Sequence, residues 1–247
     1  MPKFAVIGGT GLTSLDTLKI ARREHVNTPY GNPSAALTYG MLDETMEIVF
    51  LSRHGDSHAI PPHRVNYRAN LWALKQRGVT HVIGVCAVGG ISKTMAPRTL
   101  AIPDQIIDYT ASREHTFFDT GLDYVTHIDF TYPYCMELRK RLIAAAASTG
   151  IAVVPYGTYG ATQGPRLETI AEIDRMERDG CDMVGMTGMP EASLARELDL
   201  CYAHCAVSAN WAAGRTDGTI EIAEIEANLE SAMQVVRRLL ADVPTNS

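Results

Sequence analysis

The chain has 247 residues, 46% hydrophobic and 20% charged, a globular composition that excludes a disordered polymer. Its 22 Lys and Arg against 28 Asp and Glu leave a formal charge of −6, which excludes a general nucleic-acid binder with a basic face. No stretch reaches the roughly 20 apolar residues of a membrane span, and any anion held here needs a local cluster of donors set against the global charge.

Residues 4–7 predict a short buried strand running into the turn Gly8-Gly9-Thr10-Gly11. Strands are expected at 35–41 and 46–51, around an Asp43-Glu44 turn, and the polar, proline-containing stretch 52–63 reads as a loop. Val65, Ala69, Trp72 and Ala73 recur near helical spacing within 64–77, and Gly78 ends that helix. A strand at 80–86 then meets the loop Ala87-Val88-Gly89-Gly90, with further strand in 101–109. Helices at 133–148, 168–178, 190–198 and 220–240 alternate with strands at 151–159, 182–186 and 200–209. The terminal helix sets Ile222, Ile225 and Leu229 on one side.

This alternation predicts an α/β fold, a single-domain mixed β-sheet flanked by helices and spanning 1–247. Ligands in such folds sit beyond the carboxyl ends of the strands, which points to the loops 8–14, 52–63, 86–93, 187–190 and 210–219. The five cysteines are an odd, sparse set. No disulfide framework is expected, and a reducing, cytoplasmic compartment fits. The apolar run at the N-terminus is too short for a signal peptide.

Read one by one, the candidate motifs leave bland and functional readings open. Residues 9–14 nearly match G-x-G-x-x-G, but Ser14 stands where the last glycine belongs, and 28–31 do not resemble the second strand of a dinucleotide unit. Backbone amides and the Thr10 hydroxyl can hold a single phosphate instead, or the turn is only a turn. Arg53 offers a planar fork suited to phosphate oxygens and His54 a further donor; alone, the pair reads as a surface Arg and a loop His. Histidines 54, 58 and 63 lack an H-E-x-x-H helix, so no metal site is expected. The Cys201-x-x-His204-Cys205 pattern reads as buried strand. No G-x-S-x-G is present and Cys86 has no base beside it, so nucleophilic catalysis is not expected. Glu168 suits a helix N-terminus, and Thr187 with Glu191 suits N-terminal capping.

In their joint order these segments resemble the trimeric purine nucleoside phosphorylase superfamily, and within it the 5′-methylthioadenosine phosphorylase branch. The resemblance is carried by Gly8-Gly9-Thr10-Gly11-Leu12, Arg53-His54-Gly55, 65–74, 80–83, Gly164-Pro165-Arg166, Met186-Thr187 and Pro190-Glu191. It spans about 10–240 and implies phosphorolysis of a purine nucleoside, with inorganic phosphate as co-substrate and no metal or organic cofactor. By position it assigns phosphate contacts to Thr10, Arg53, His54, Cys86, Ala87 and Thr187, and places Met186 under the ribose. Cys86 stands where the branch has Thr, and its thiol is a weaker donor.

The base site departs from the branch. Its Asp-x-Asp becomes Asn210-Trp211-Ala212. Asn210 offers an acceptor for purine N7–H and a donor for O6. The segment with Leu167 and Glu168 is similar to that of 6-oxopurine phosphorylases, whose Glu accepts N1–H. Both positions favour a 6-oxopurine, because a 6-amino purine would leave polar groups mismatched. Where ordinary inosine-guanosine phosphorylases have a 5′-hydroxyl His, residues 220–225 contain none. Ile222 and Ile225 align with the apolar wall around a methylthio group, and His127 with a residue reaching in from a neighbouring subunit of a homotrimer. The expected reaction is conversion of S-methyl-5′-thioinosine to hypoxanthine and 5-methylthioribose 1-phosphate. The alternatives are inosine or guanosine, and 5′-methylthioadenosine. An oxidoreductase and a non-catalytic nucleoside binder are weaker readings.

Overall fold

A computed structural model describes residues 4–9, 18–42 and 46–243. Thr10 and Gly11 of the glycine turn and the Asp43-Glu44 turn lie outside the described residues. Among the described residues, eleven strands form one mixed sheet: β1 (Phe4–Gly8), β2 (Leu18–Glu24), β3 (Leu37–Leu42), β4 (Met46–Ser52), β5 (His81–Gly90), β6 (Leu100–Ala101), β7 (Gln105–Asp108), β8 (Val153–Val154), β9 (Thr158–Ala161), β10 (Met183–Gly185) and β11 (Cys201–Trp211). Five α-helices among the described residues flank it: α1 (Tyr67–Gln76), α2 (Met136–Ser148), α3 (Ile170–Arg178), α4 (Gly188–Glu197) and α5 (Ile222–Ala241). No helix among the described residues is long and apolar enough to cross a membrane.

The order β2-β3-β4-β1-β5-β10-β9-β7 forms the main path, and β11 branches off β5. β1 is parallel to both β4 and β5, and β11 is parallel to β5 from Cys201↔His81 to Trp211↔Gly90. β1 is apolar along its length because both its faces are covered. Phe4 and Val6 join the core under α2 and α5, while Ala5 and Ile7 join the core under α1 and α4. The carboxyl ends of β1, β4, β5 and β11 therefore emerge on one rim of the sheet.

Several elements differ from the sequence reading. Residues 87–90 are strand, not loop: β5 continues through them, because Gly89 and Gly90 pair with β10 on one side and β11 on the other. β2 is an edge strand with mostly exposed side chains, so it lacks the apolar alternation that would announce it. The strand expected at 151–159 is two short strands. α3 starts at Ile170 with Thr169 and Glu172 forming a capping box, which leaves Glu168 outside the helix. Thr187 precedes α4 without a capping hydrogen bond from its side chain.

The cysteine expectation is corrected. Cys135, at the N-cap of α2, and Cys201, opening β11, form a disulfide with Cα atoms 5.1 Å apart. The pairing arises from packing α2 beside β11 across 66 residues, so spacing carries no sign of it. Cys86, Cys181 and Cys205 are free and buried.

Candidate active site

A cavity of about 390 Å³ opens on the rim where these strands end, within the usual range for a small-molecule site. Gly9, Arg53 and His54 line it after β1 and β4, Cys86 and Ala87 from within β5, and Met186 and Thr187 after β10. Asn210 and Ala212 line it at the end of β11, Leu167 and Glu168 before α3, and Ile225 from α5. Most of the sequence candidates are thus brought together. Trp211, Ile222 and His127 are not on the cavity wall. Ile222 is 59% exposed and His127 is exposed.

Arg53 is fully buried, and its fork is already occupied. Nε and Nη2 each donate to Glu191 at 2.7 Å, Nη1 donates to the Val85 carbonyl at 2.8 Å, and Nη2 makes a long 3.5 Å contact to the Ile7 carbonyl. Of five N–H groups, these contacts engage four, and one on Nη1 is left over. The expectation of a fork presented to phosphate is therefore corrected: Glu191 is the partner of Arg53, not a helix cap. Burial works against the charge of Arg53, but the Glu191 carboxylate outweighs it and keeps the guanidinium firmly protonated. Gly9 is required here, since a Cβ would meet Arg53 Nη1 at 2.8 Å and the Val85 carbonyl at 2.9 Å.

Glu191 is held from its other side by the Tyr202 hydroxyl at 2.6 Å. That hydroxyl also contacts His204 Nε2, whose ring partner Nδ1 meets Tyr134 Oη at 3.1 Å. Gly84 makes room for this chain, because a Cβ would lie 2.3 Å from Tyr202 Oη and 2.9 Å from Glu191 Oε1. Burial holds His204 neutral, with its pKa down at about 3.

His54 Nδ1 lies 2.8 Å from the Ile60 carbonyl. A carbonyl only accepts, so Nδ1 carries the hydrogen. Burial and then the Arg53 charge lower the His54 pKa to about 4. Nε2 is therefore a bare acceptor at neutral pH, and the expectation of His54 as a donor is corrected. The Cys86 thiol is pushed up by burial and sits 4.0 Å from the Cys205 carbonyl, so it is neutral and turned toward the interior.

At the end of β11 a register shift between Ser208 and Asn210 sets Asn210 opposite Gly89. Its Nδ2 donates to the Trp211 carbonyl at 2.7 Å, which fixes the amide orientation and keeps Oδ1 as the acceptor. Glu168 Oε1 accepts from Thr162 Oγ1 at 2.7 Å, leaving Oε2 as the second acceptor. Ile60, Ile220, Ile225 and Leu229 supply apolar wall.

Arg113 has no signal in the sequence, yet it braces two of these loops. Buried, it donates to the carbonyls of Met186, Met189, Thr162 and Gln163. Arg113 is out of reach of motif reading because its partners lie at distant positions in the chain. Thr162 belongs to no motif, and Glu191 reads only as a capping residue until Arg53 is seen beside it. Among the polar cavity residues, the arrangement pairs N–H and hydroxyl donors near Arg53 with two carbonyl-type acceptors at Asn210 and Glu168.

A model of the phosphorylase superfamily matches residues 3–243. The chain is 54% identical over 243 residues, 98% of each chain, to a "Probable S-methyl-5′-thioinosine phosphorylase" of Pseudomonas syringae pv. tomato. It is 44% identical over 250 residues to a "6-oxopurine nucleoside phosphorylase" of Pyrococcus furiosus, covering 99% of this chain and 93% of the relative. Among solved structures, a methylthioadenosine phosphorylase from Schistosoma mansoni in complex with adenine superposes with a TM-score of 0.93 at 32% identity, covering 98% of this chain and 91% of that one.

Proposed function

From the premise that the chain belongs to the phosphorylase superfamily, we propose that it cleaves S-methyl-5′-thioinosine with inorganic phosphate. The products are hypoxanthine and 5-methylthioribose 1-phosphate, and the whole chain acts as one phosphorylase domain needing no metal or organic cofactor. The observation that carries this reading is the Glu168 carboxylate, anchored through Oε1 by Thr162 with Oε2 left as an acceptor. Hypoxanthine offers an N1–H to such an acceptor; adenine has no hydrogen on N1.

In the proposed reaction the C1′–N9 bond breaks and its electron pair moves into the purine, while a phosphate oxygen forms the new bond to C1′. Electron density grows on the leaving base, which takes up at N7, by way of water, the proton that phosphate gives up. Glu168 accepts from N1–H and Asn210 Oδ1 accepts from the N7–H so formed. Phosphate enters beside Arg53, Ala87 and Thr187. The remaining Nη1 hydrogen of Arg53 donates to it, and His54 Nε2 accepts the hydrogen of a P–OH group. Thr10 is assigned to this contact set by resemblance alone. The anion is held by oriented donors, which suits a site whose buried Arg53 guanidinium is already neutralised.

For the sugar, Ile220, Ile225 and Leu229 support a thioether at C5′, since a hydroxyl there would lose its hydrogen bonds to water. Met186 lines the cavity where the ribose is expected. The resemblance implies a homotrimer, in which His127 serves a neighbouring cavity from its exposed position. A broader 6-oxopurine phosphorylase is the second reading, favoured by the Pyrococcus furiosus relative; it uses the same base site and differs only at C5′. Phosphorus NMR tests the reaction class. Hypoxanthine release should require phosphate and yield a sugar 1-phosphate; equal release without phosphate would make the protein a hydrolase.

A further inference from the structure

We propose that the Cys135–Cys201 disulfide is a thiol-exchange site whose state sets the affinity of the active-site cavity for phosphate. The inference rests on the phosphorylase reading for the identity of the anion. Three observations carry it.

The disulfide is placed at one end of the buried polar chain that ends on Arg53. Tyr134 and Tyr202 are the sequence neighbours of Cys135 and Cys201, and both belong to that chain. The order is Tyr134, His204, Tyr202, Glu191, Arg53, with every member buried. The Cys135 amide also donates to the Tyr202 carbonyl at 2.8 Å, so a backbone bond and a covalent bond clamp the two segments at one point.

The disulfide is reachable. Both cysteines are half-buried and line a separate cavity of about 490 Å³, together with Tyr134, Tyr202 and Arg196. The other thiols, Cys86, Cys181 and Cys205, are buried and raised in pKa by that burial, so exchange is directed to this bond.

The chemistry needs a small thiol as reductant. Its thiolate attacks Cys201 Sγ, the Cys135–Cys201 bond breaks, and Cys135 leaves as thiolate. That departure is favoured by the position of Cys135 at the N-terminus of α2. A second equivalent then attacks the mixed disulfide. In sum two small thiols become one small disulfide, and the protein gains two electrons and two protons as two cysteine thiols.

With the bond cut, the start of β11 is tied to α2 by hydrogen bonding and packing only. Tyr202 then holds Glu191 less firmly, and the Glu191–Arg53 pair that orients the remaining Nη1 hydrogen shifts. The expected result is weaker phosphate binding with nucleoside binding little changed, because Glu168 and Asn210 hang on other partners.

The test compares the native protein before and after incubation with dithiothreitol. Thiols are counted with a chromogenic disulfide in denaturant, phosphate affinity is read by calorimetry, and KM is measured for phosphate and for nucleoside. We expect three titratable thiols rising to five on reduction, and a rise of about threefold or more in Kd and KM for phosphate. KM for nucleoside should stay within about twofold. A Cys135→Ser/Cys201→Ser double variant should match the reduced protein and ignore dithiothreitol. Five thiols without reductant, an unchanged phosphate Kd after full reduction, or equal rises in both KM values would each overturn the proposal. If no phosphorolysis occurs in either state, the functional reading fails; the thiol count and phosphate calorimetry still decide the exchange site.

Discussion

Arg53 and Glu191 stand 138 residues apart in sequence and meet in a two-point ion pair, both contacts at 2.7 Å and both side chains out of solvent. The pair neutralises the cation nearest the cavity. On the proposed reading, the rim of the sheet therefore holds phosphate by directed hydrogen bonds with little net charge, in a chain of formal charge −6.

Glu191→Ala leaves the Arg53 guanidinium buried without its counter-ion. Breaking a buried pair from one side costs about 3–5 kcal/mol. Urea denaturation should show a midpoint lowered accordingly, and Glu191→Gln, which keeps hydrogen-bond acceptance at one oxygen, should lose less. A stability within error of the parent in both variants would contradict the pairing.

Acid should weaken the fold through two histidines. His54 and His204 have native pKa values near 4 and 3, below the ordinary 6.5. The unfolded chain therefore binds more protons than the native one once the pH drops below 6.5. Stability is fully present above that value and falls as pH descends from 6.5 toward 4 for His54 and toward 3 for His204. The slope per histidine approaches about 1.4 kcal/mol per pH unit. Urea midpoints at pH 7, 6 and 5 check the sign, and His54→Asn should flatten part of the slope.

Base selectivity should move with two residues. Asn210→Asp replaces the amide with a carboxylate that accepts from N7–H and from a 6-amino group. Its preference for hypoxanthine nucleosides over adenine nucleosides should fall by about tenfold or more. Glu168→Gln removes the ionic acceptor for N1–H and should lower kcat/KM for the 6-oxopurine by about 10–100-fold, with a smaller loss on the 6-amino analogue. Steady-state kinetics on both nucleosides reads these ratios.

The apolar wall gives a paired test. Ile225→Asn puts a hydrogen-bonding group on the cavity wall and should raise inosine relative to methylthioinosine by about tenfold. Ile222→Ala, on the same helix but facing solvent, should leave that ratio within about twofold.

Much of this was legible in the sequence where residues act near their own motif. Arg53-His54 and Asn210 fall on one cavity because β4 and β11 run parallel with β1 and β5 and end on a common rim. Met186-Thr187 and Glu168 follow β10 and β9, which run antiparallel to β5 and meet the same cavity from the other direction. What the motifs do not encode is the partner of each group. Arg53 reads as an anion fork until Glu191 is seen to occupy it, and His54 as a donor until the Ile60 carbonyl fixes its tautomer. Ile222 and Ile225 share one face of α5, one turn apart, yet Ile222 is the first residue of the helix and stays exposed while Ile225 reaches the cavity wall. The continuous β5 was hidden because Gly89 and Gly90 look like loop, though they are where β10 and β11 approach the strand from both sides.

On the proposed reading, Glu168 and Asn210 select a 6-oxopurine while the apolar wall selects a 5′-thioether. Measuring kcat/KM at saturating phosphate for methylthioinosine, inosine and methylthioadenosine tests both halves at once. Methylthioinosine should come first, inosine lower, and methylthioadenosine lower than methylthioinosine by about 10²-fold or more. Methylthioadenosine in first place would contradict it.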